Sequence, residues 1–300
     1  MKTIAFGKGI RTETVARMLL ACVLAVCLTG CEALNALSQG APVTVSTDWS
    51  APEVLPSPVN SPEWEDSPSI TPDGKTLFFT RGRDRDVETY LTHKTETGWS
   101  EPEPLDKINL KSFPTGGAHT QDGKTLFLAS FRPGGLGQAD IYKCQNVDGV
   151  WTNLENIGAP VNTEHMESEP YISPDGKTLY FASNRTGNTD IWFCTRAGDS
   201  WTEPENMGPP INTDKDETQP FLTRDGKQLY FMAVNRNGIG GPAIFHSVKR
   251  NDHWQTPTLV VSGMVGEPTL TADERYLYFV HIIMSASQLT DAEIMVARRK

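Results

Sequence analysis

The chain has 300 residues, of which 38% are hydrophobic and 9% aromatic, enough for a sizeable core and too much for wholesale disorder. Asp and Glu outnumber Lys and Arg 37 to 27, a net charge of −10 that excludes the clustered basic surface nucleic-acid binding requires. The 25 glycines and 21 prolines favour many tight turns over a bundle of long helices.

Residues 1–17 carry Lys2, Lys8, Arg11 and Arg17 against a single acid, Glu13, and an unbroken apolar run of eleven residues follows, Met18 to Leu28. A membrane-spanning helix needs about 20 such residues. A basic start before a short apolar core is instead the layout of a secretory signal peptide. The run ends in Leu28-Thr29-Gly30-Cys31, which resembles the bacterial lipobox. That resemblance implies a lipoprotein signal over 1–30 and a mature chain that begins at a lipidated Cys31, its membrane anchor, with a net charge of −13. Glu32 after the cysteine favours the outer membrane, facing the periplasm. Residues 31–48 are small and polar and read as a flexible tether; a short arm ordered on the domain is the alternative.

From residue 49 the chain repeats itself. A turn motif recurs around Asp73, Asp122, Asp175, Asp225 and Asp273, at spacings of 49, 53, 50 and 48. Four residues past each Asp stands a leucine (Leu77, Leu126, Leu179, Leu229, Leu277), and next to it an aromatic residue. Trp49, Trp99, Trp151, Trp201 and Trp254 form a second series in phase with the first. Each unit reads as four short antiparallel strands: an innermost strand, an Asp-Gly hairpin that supplies positive φ, a Leu-aromatic strand, a third strand such as Asp190-Ile191-Trp192, and an outer Trp strand. Four strands in about 50 residues is one propeller blade. The predicted fold is an all-β, five-bladed propeller over 49–300, its ring closed by residues 49–55 joining the last blade.

The Thr71-Pro72-Asp73-Gly74-Lys75 and Ser173-Pro174-Asp175-Gly176-Lys177 cores, with the Ser183 to Trp192 phrase, resemble the TolB-type propeller repeat, a WD-repeat-like family of bacterial envelope proteins. The resemblance covers roughly 49–300 and implies the fold. TolB itself has an additional N-terminal domain and six units, so its role is not carried over.

The repeat aspartates are assigned to turn structure, because they define the repeat rather than break it. The third-strand acids Glu88, Asp140, Asp190 and Glu293 are expected to pair with Arg81, Arg132 and Arg185 or to cap turns. Cys144 and Cys194 occupy equivalent places in neighbouring blades, too far apart for a disulfide, and should be free buried thiols. The six histidines show no metal-ligand spacing, and no catalytic motif or cofactor fingerprint appears; no cofactor or metal is assigned, and a channel-bound divalent cation has no support. His119 stands where other units carry Ile70, Ile172, Leu222 and Leu270.

The best candidate site is the start of each innermost strand, at the channel mouth. Six residues before each repeat Asp stand Ser67, Gly116, Glu169, Gln219 and Glu267, preceded in three units by Asp66, Ser168 and Thr218. Variation within a constant frame is the mark of a grafted site. Asp66, Glu169 and Glu267 together could bind a cation or a polyhydroxylated ligand, or act as an acid/base pair on a glycosidic bond; a solvated acidic funnel is the favoured plain reading. The leading functional expectation is a membrane-anchored, non-enzymatic binding or scaffolding module for an envelope protein or cell-wall glycan. A glycoside hydrolase is the runner-up, and a metal-dependent sugar lyase using His119 and Gln219 the third.

Overall fold

The computed structural model describes residues 42–83, 87–105, 108, 114–119, 123–152, 154–285 and 288–300. The signal, Cys31 and Asp122 lie outside the described residues, as does the side chain of His119. The described chain forms five antiparallel sheets round an axis, each built outward from an innermost strand. Those strands are Glu65–Ile70, Pro114–His119, Glu167–Ile172, Glu217–Leu222 and Val265–Leu270. Among the described residues one short helical turn, Arg236–Gly238, interrupts the β pattern. Among the described residues no helix is long and apolar enough to cross a membrane.

The ring closes as the sequence predicts. Glu53–Val54 joins the fifth sheet as its outermost strand, with Glu53 opposite Val296 and Val54 opposite Met295. Trp49 bridges to Arg299 in the same direction. Asn60 reinforces the seam: its amide nitrogen donates to the carbonyls of Leu55 and Ile294, and its oxygen accepts from the Ile294 N–H. Asn162 and Asn212 make the same two-way contact with Ile141 and Ile191 of the preceding blade. The seam therefore uses the ordinary blade-to-blade latch.

Three details differ from the sequence reading. Thr44–Val45, assigned to the tether, pairs with Ser262 and Val261 and adds an extra edge strand to the fourth blade. The sheet edge supplies backbone partners that a solvated tether would lack. In the third blade, the expected Trp strand is two short pieces, Ser200–Trp201 and Glu205–Asn206, both paired with the third strand. The hairpin is also wider than an Asp-Gly turn. In the first blade Gly74 donates to Thr71 and Thr71 to Thr76, so Pro-Asp-Gly-Lys is a four-residue loop. Only its glycine has positive φ, +70°, which suits a proline-led type I turn followed by a left-handed residue.

The core lies between the blades. One cluster joins Phe127 and Ile141 of the second sheet to Ile172, Leu179, Phe181, Cys194 and Trp201 of the third. The alternation along each central strand puts one set of side chains into the cleft on either side. Phe79, Phe181, Phe231 and Phe279 occupy the same repeat position and are all fully buried, each contributing about 1.5–3 kcal/mol of apolar transfer.

Candidate functional site

Each innermost strand is kinked at the predicted site position. The strand register slips between Asp66 and Ser69, Ser168 and Tyr171, Thr218 and Phe221, and Gly266 and Thr269. Within each slip sits a non-glycine residue of positive φ: Ser67 (52°), Glu169 (51°), Gln219 (55°) and Glu267 (59°). Each precedes a proline, which removes an N–H donor and stops the regular ladder. Left-handed backbone costs a non-glycine residue roughly 1–2 kcal/mol, so the bulge is a feature the packed ring imposes. Its effect is to turn these four side chains into the central channel, where all four line one small cavity. At Gly116 the second blade contributes no side chain to this ring.

The channel groups are bonded to one another across blades. Glu267 accepts from the Ser67 N–H at 2.5 Å and from the Gln219 amide at 3.2 Å. The Glu267 N–H donates to the Gln219 oxygen at 2.8 Å. Gly266 follows from this arrangement, because a Cβ there would lie 2.7 Å from the Gln219 oxygen. Asp66 accepts from the Thr80 hydroxyl on the adjacent strand.

All three carboxyls are held toward the protonated form. Burial pushes Glu169 up to about 8, and the neighbouring Asp66 adds to it. Burial raises Asp66 to about 7 against the opposing Ser67 hydrogen bond, with Glu65 repelling it. Glu267 is raised well above the usual range, first by burial and then by Asp66 and Glu169. Glu169 is only 8% exposed. Asp66 and Glu267 are half-buried, so in place of the expected solvated funnel the bulges draw Glu169 and Glu267 into a crowded, partly desolvated cluster.

Below the acids the channel is stoppered. Tyr171 and Phe221 meet with ring centroids 5.2 Å apart at 62°, and the Tyr171 hydroxyl donates to the Leu222 carbonyl at 2.5 Å. The space above them is a cavity of about 50 Å³. Among the described residues no group of three or more His, Cys, Asp or Glu is arranged to hold a metal ion.

The remaining sequence candidates resolve as follows. Ser168 and Thr218 are buried, and neither hydroxyl has a hydrogen-bond partner. The backbone of His119 ends its innermost strand, opposite Leu126. Asp73, Asp175, Asp225 and Asp273 each accept from a Ser or Thr hydroxyl two residues earlier and a backbone N–H two residues later. For Asp175 the Ser173 bond, then the Lys177 N–H, holds the carboxyl below its ordinary range.

The arginines correct the expected pairing. Arg81, Arg185 and Arg236 bond not to third-strand acids but to Glu65, Glu167 and Glu217 on the innermost strands, at 2.8, 3.1 and 3.2 Å. Those glutamates are fully buried and also accept from the N–H and hydroxyl of Ser61, Thr163 and Thr213. The signal in the sequence was the repeated spacing Asn-(Ser/Thr)-x-x-x-Glu, as in Asn162 to Glu167. Asp140 and Asp190 instead organise their own loops, Asp140 accepting from Leu136, Gly137 and Asn156 and Asp190 from Thr186, Asn188 and Asn206. Cys144 and Cys194 are free, buried thiols.

No protein-family model matches the chain, and no curated protein matches its sequence. Solved structures do resemble it. An endo-arabinase from Bacteroides thetaiotaomicron superposes with a TM-score of 0.56 at 17% identity, covering 83% of this chain and 98% of that one. An alpha-L-arabinofuranosidase from Lactobacillus brevis gives 0.55 at 15% identity, covering 81% and 92%. TolB from Acinetobacter baumannii gives 0.46 at 15% identity, covering 79% of this chain and about half, 55%, of that one. At these identities the likeness is one of fold: the chain is a five-bladed β-propeller.

Proposed function

We propose that this chain is an envelope lipoprotein, anchored through Cys31, whose propeller is a non-enzymatic binding and scaffolding module for an envelope protein or cell-wall glycan. The observation that carries this reading is the filled channel. Ligand sites usually enclose about 300–1,000 Å³, whereas the space among Ser67, Glu169, Gln219 and Glu267 is about 50 Å³ and ends on Tyr171 and Phe221. The surfaces left for recognition are the blade faces and the clefts between them. The lipobox-like Leu28-Thr29-Gly30-Cys31 supports the anchor.

The competing reading is a glycoside hydrolase, as the names of the arabinan-cleaving fold neighbours suggest. It has one observation in its favour: Asp66 and Glu169 are raised to about 7 and 8, near where a general acid works. It also needs room for a sugar ring against Glu169, which a 50 Å³ space does not offer. The test is the full-length protein expressed in a bacterial envelope. The expected results are acyl labelling lost in Cys31→Ser, no sugar released from arabinan or arabinoxylan, and cross-linking to a defined envelope component. Sugar release abolished by Glu169→Gln would overturn the proposal in favour of the hydrolase.

A further inference from the structure

The five outer-strand tryptophans are not treated alike. Lys94 lies 4.7 Å from the ring of Trp99, Arg196 5.3 Å from Trp201, Lys249 5.8 Å from Trp254 and Arg299 5.1 Å from Trp49. The cation stands in each case on or just past the third strand, against its own blade's outer tryptophan. In the second blade the corresponding residue is Asn146, paired opposite Trp151 as Arg196 is paired opposite Trp201. Its side chain is turned to the Gly149 N–H instead. Among the described residues no cation covers Trp151.

A second substitution acts in the same place. In the cleft between the second and third blades, Lys143 stands opposite Glu155 and pairs with it at 3.8 Å. In the cleft between the first and second, the acid is kept as Glu103 but the residue opposite is Leu91. An apolar residue opposite this acid is the commoner case, as with Phe193 opposite Glu205 and Val296 opposite Glu53, so among the described residues Glu103 stands without a paired cation and Trp151 without the one its siblings carry. The cleft lined by Lys143, Glu155, Arg196 and Trp201 holds about 110 Å³. The one lined by Leu91, Glu103, Asn146 and Trp151 opens along Phe78 and Val150 into a space of about 920 Å³ that also runs past the hairpin residues Pro72 and Gly123 to Arg224 and Ala272 of the fourth and fifth blades. Arg224, on the fourth blade's hairpin, lines this cleft too, whereas the cation missing by the pattern of the other blades is the one beside Trp151.

We propose that the cleft between the first and second blades binds a lysine side chain of a partner protein, its ammonium group on Trp151, where the other blades place a cation of their own, and near the unpaired Glu103. An aromatic face with a nearby carboxylate is suited to an ammonium ion. Leu91, Phe78 and Val150 offer an apolar bed for the aliphatic stem. The volume exceeds that of a lone ammonium and leaves space for the flanking backbone. This deepens the reading of the propeller as a binding module, and rests on it.

The test is NMR titration of the propeller with acetyl-Gly-Lys-Gly-amide and with the norleucine analogue, which has the stem without the charge. The lysine peptide should perturb signals from Trp151 and Leu91, and binding should weaken with salt. Asn146→Arg, which restores the sibling's cation, should weaken binding at least about tenfold. Glu103→Gln, at an exposed position, should weaken it severalfold without disturbing the fold. Equal binding of the norleucine peptide, or no difference between wild type and both variants, would overturn the assignment. An envelope partner still captured by Asn146→Arg would also overturn it, while leaving the binding-module reading standing.

Discussion

Replacing Glu169 by glutamine should stabilise the protein, and only above mildly acidic pH. A carboxyl whose folded pKa lies above its unfolded value binds more protons folded than unfolded. Stability therefore falls as pH rises from the unfolded value through the folded one. For Glu169 the window runs from 4.5 to about 8. Each pH unit inside it costs about 1.4 kcal/mol, so holding the acid protonated at pH 7 costs at most roughly 3 kcal/mol. Asp66 and Glu267 share the repulsion, so about 1–3 kcal/mol is the expected gain for Glu169→Gln. For a domain of this size that is a rise of about 2–10 °C in Tm at pH 7. At pH 4.5 the variant and the wild type should coincide. Thermal melts in matched buffers at pH 4.5, 6 and 7.5 read this directly. A variant less stable at pH 7.5, or a gain of equal size at all three values, would refute the desolvated-cluster account.

Three further outcomes follow from the frame. Asn60→Ala strips the Ile294 N–H and the Leu55 carbonyl of their side-chain partner at the ring seam and should cost about 2–4 kcal/mol in urea unfolding. Arg236→Met leaves Glu217, itself raised to about 7 chiefly by burial, without its counter-charge; a loss of about 3–5 kcal/mol at pH 8 should shrink at pH 5, where the acid takes up a proton. Cys144 and Cys194, both pushed up to about 12 mainly by burial, should resist a thiol reagent at pH 8 until denaturant is added.

The fold was legible because the sequence states it five times. Leucine-aromatic strands, hairpin aspartates and outer tryptophans each mark a distance along the blade, and Trp49 before the first hairpin announced the ring closure. The candidate site was legible in position but not in state. Ser67, Glu169, Gln219 and Glu267 could be picked out by their place before each repeat Asp. The left-handed backbone at each of them could not, because nothing in a Glu-Pro pair demands positive φ. That conformation decides whether the acids meet solvent or each other. The arginine partners were misread for a related reason: proximity in sequence favoured the third-strand acids, whereas fully buried glutamates had a larger desolvation cost to offset and took the guanidinium groups.

The blades also differ in how far they keep the rule. The first, third and fourth carry the full set of latch asparagine, hydroxyl, buried glutamate and arginine. The second replaces the glutamate by Pro114, the channel residue by Gly116 and the tryptophan's cation by Asn146. A ring of repeats is stabilised mostly between neighbours, so one blade can lose such groups while the others hold the closure. Recognition chemistry is then most easily built where a blade has given up structural contacts. The open cleft beside Trp151 lies at such a blade, and the crowded axial channel lies where four blades still crowd side chains against one another.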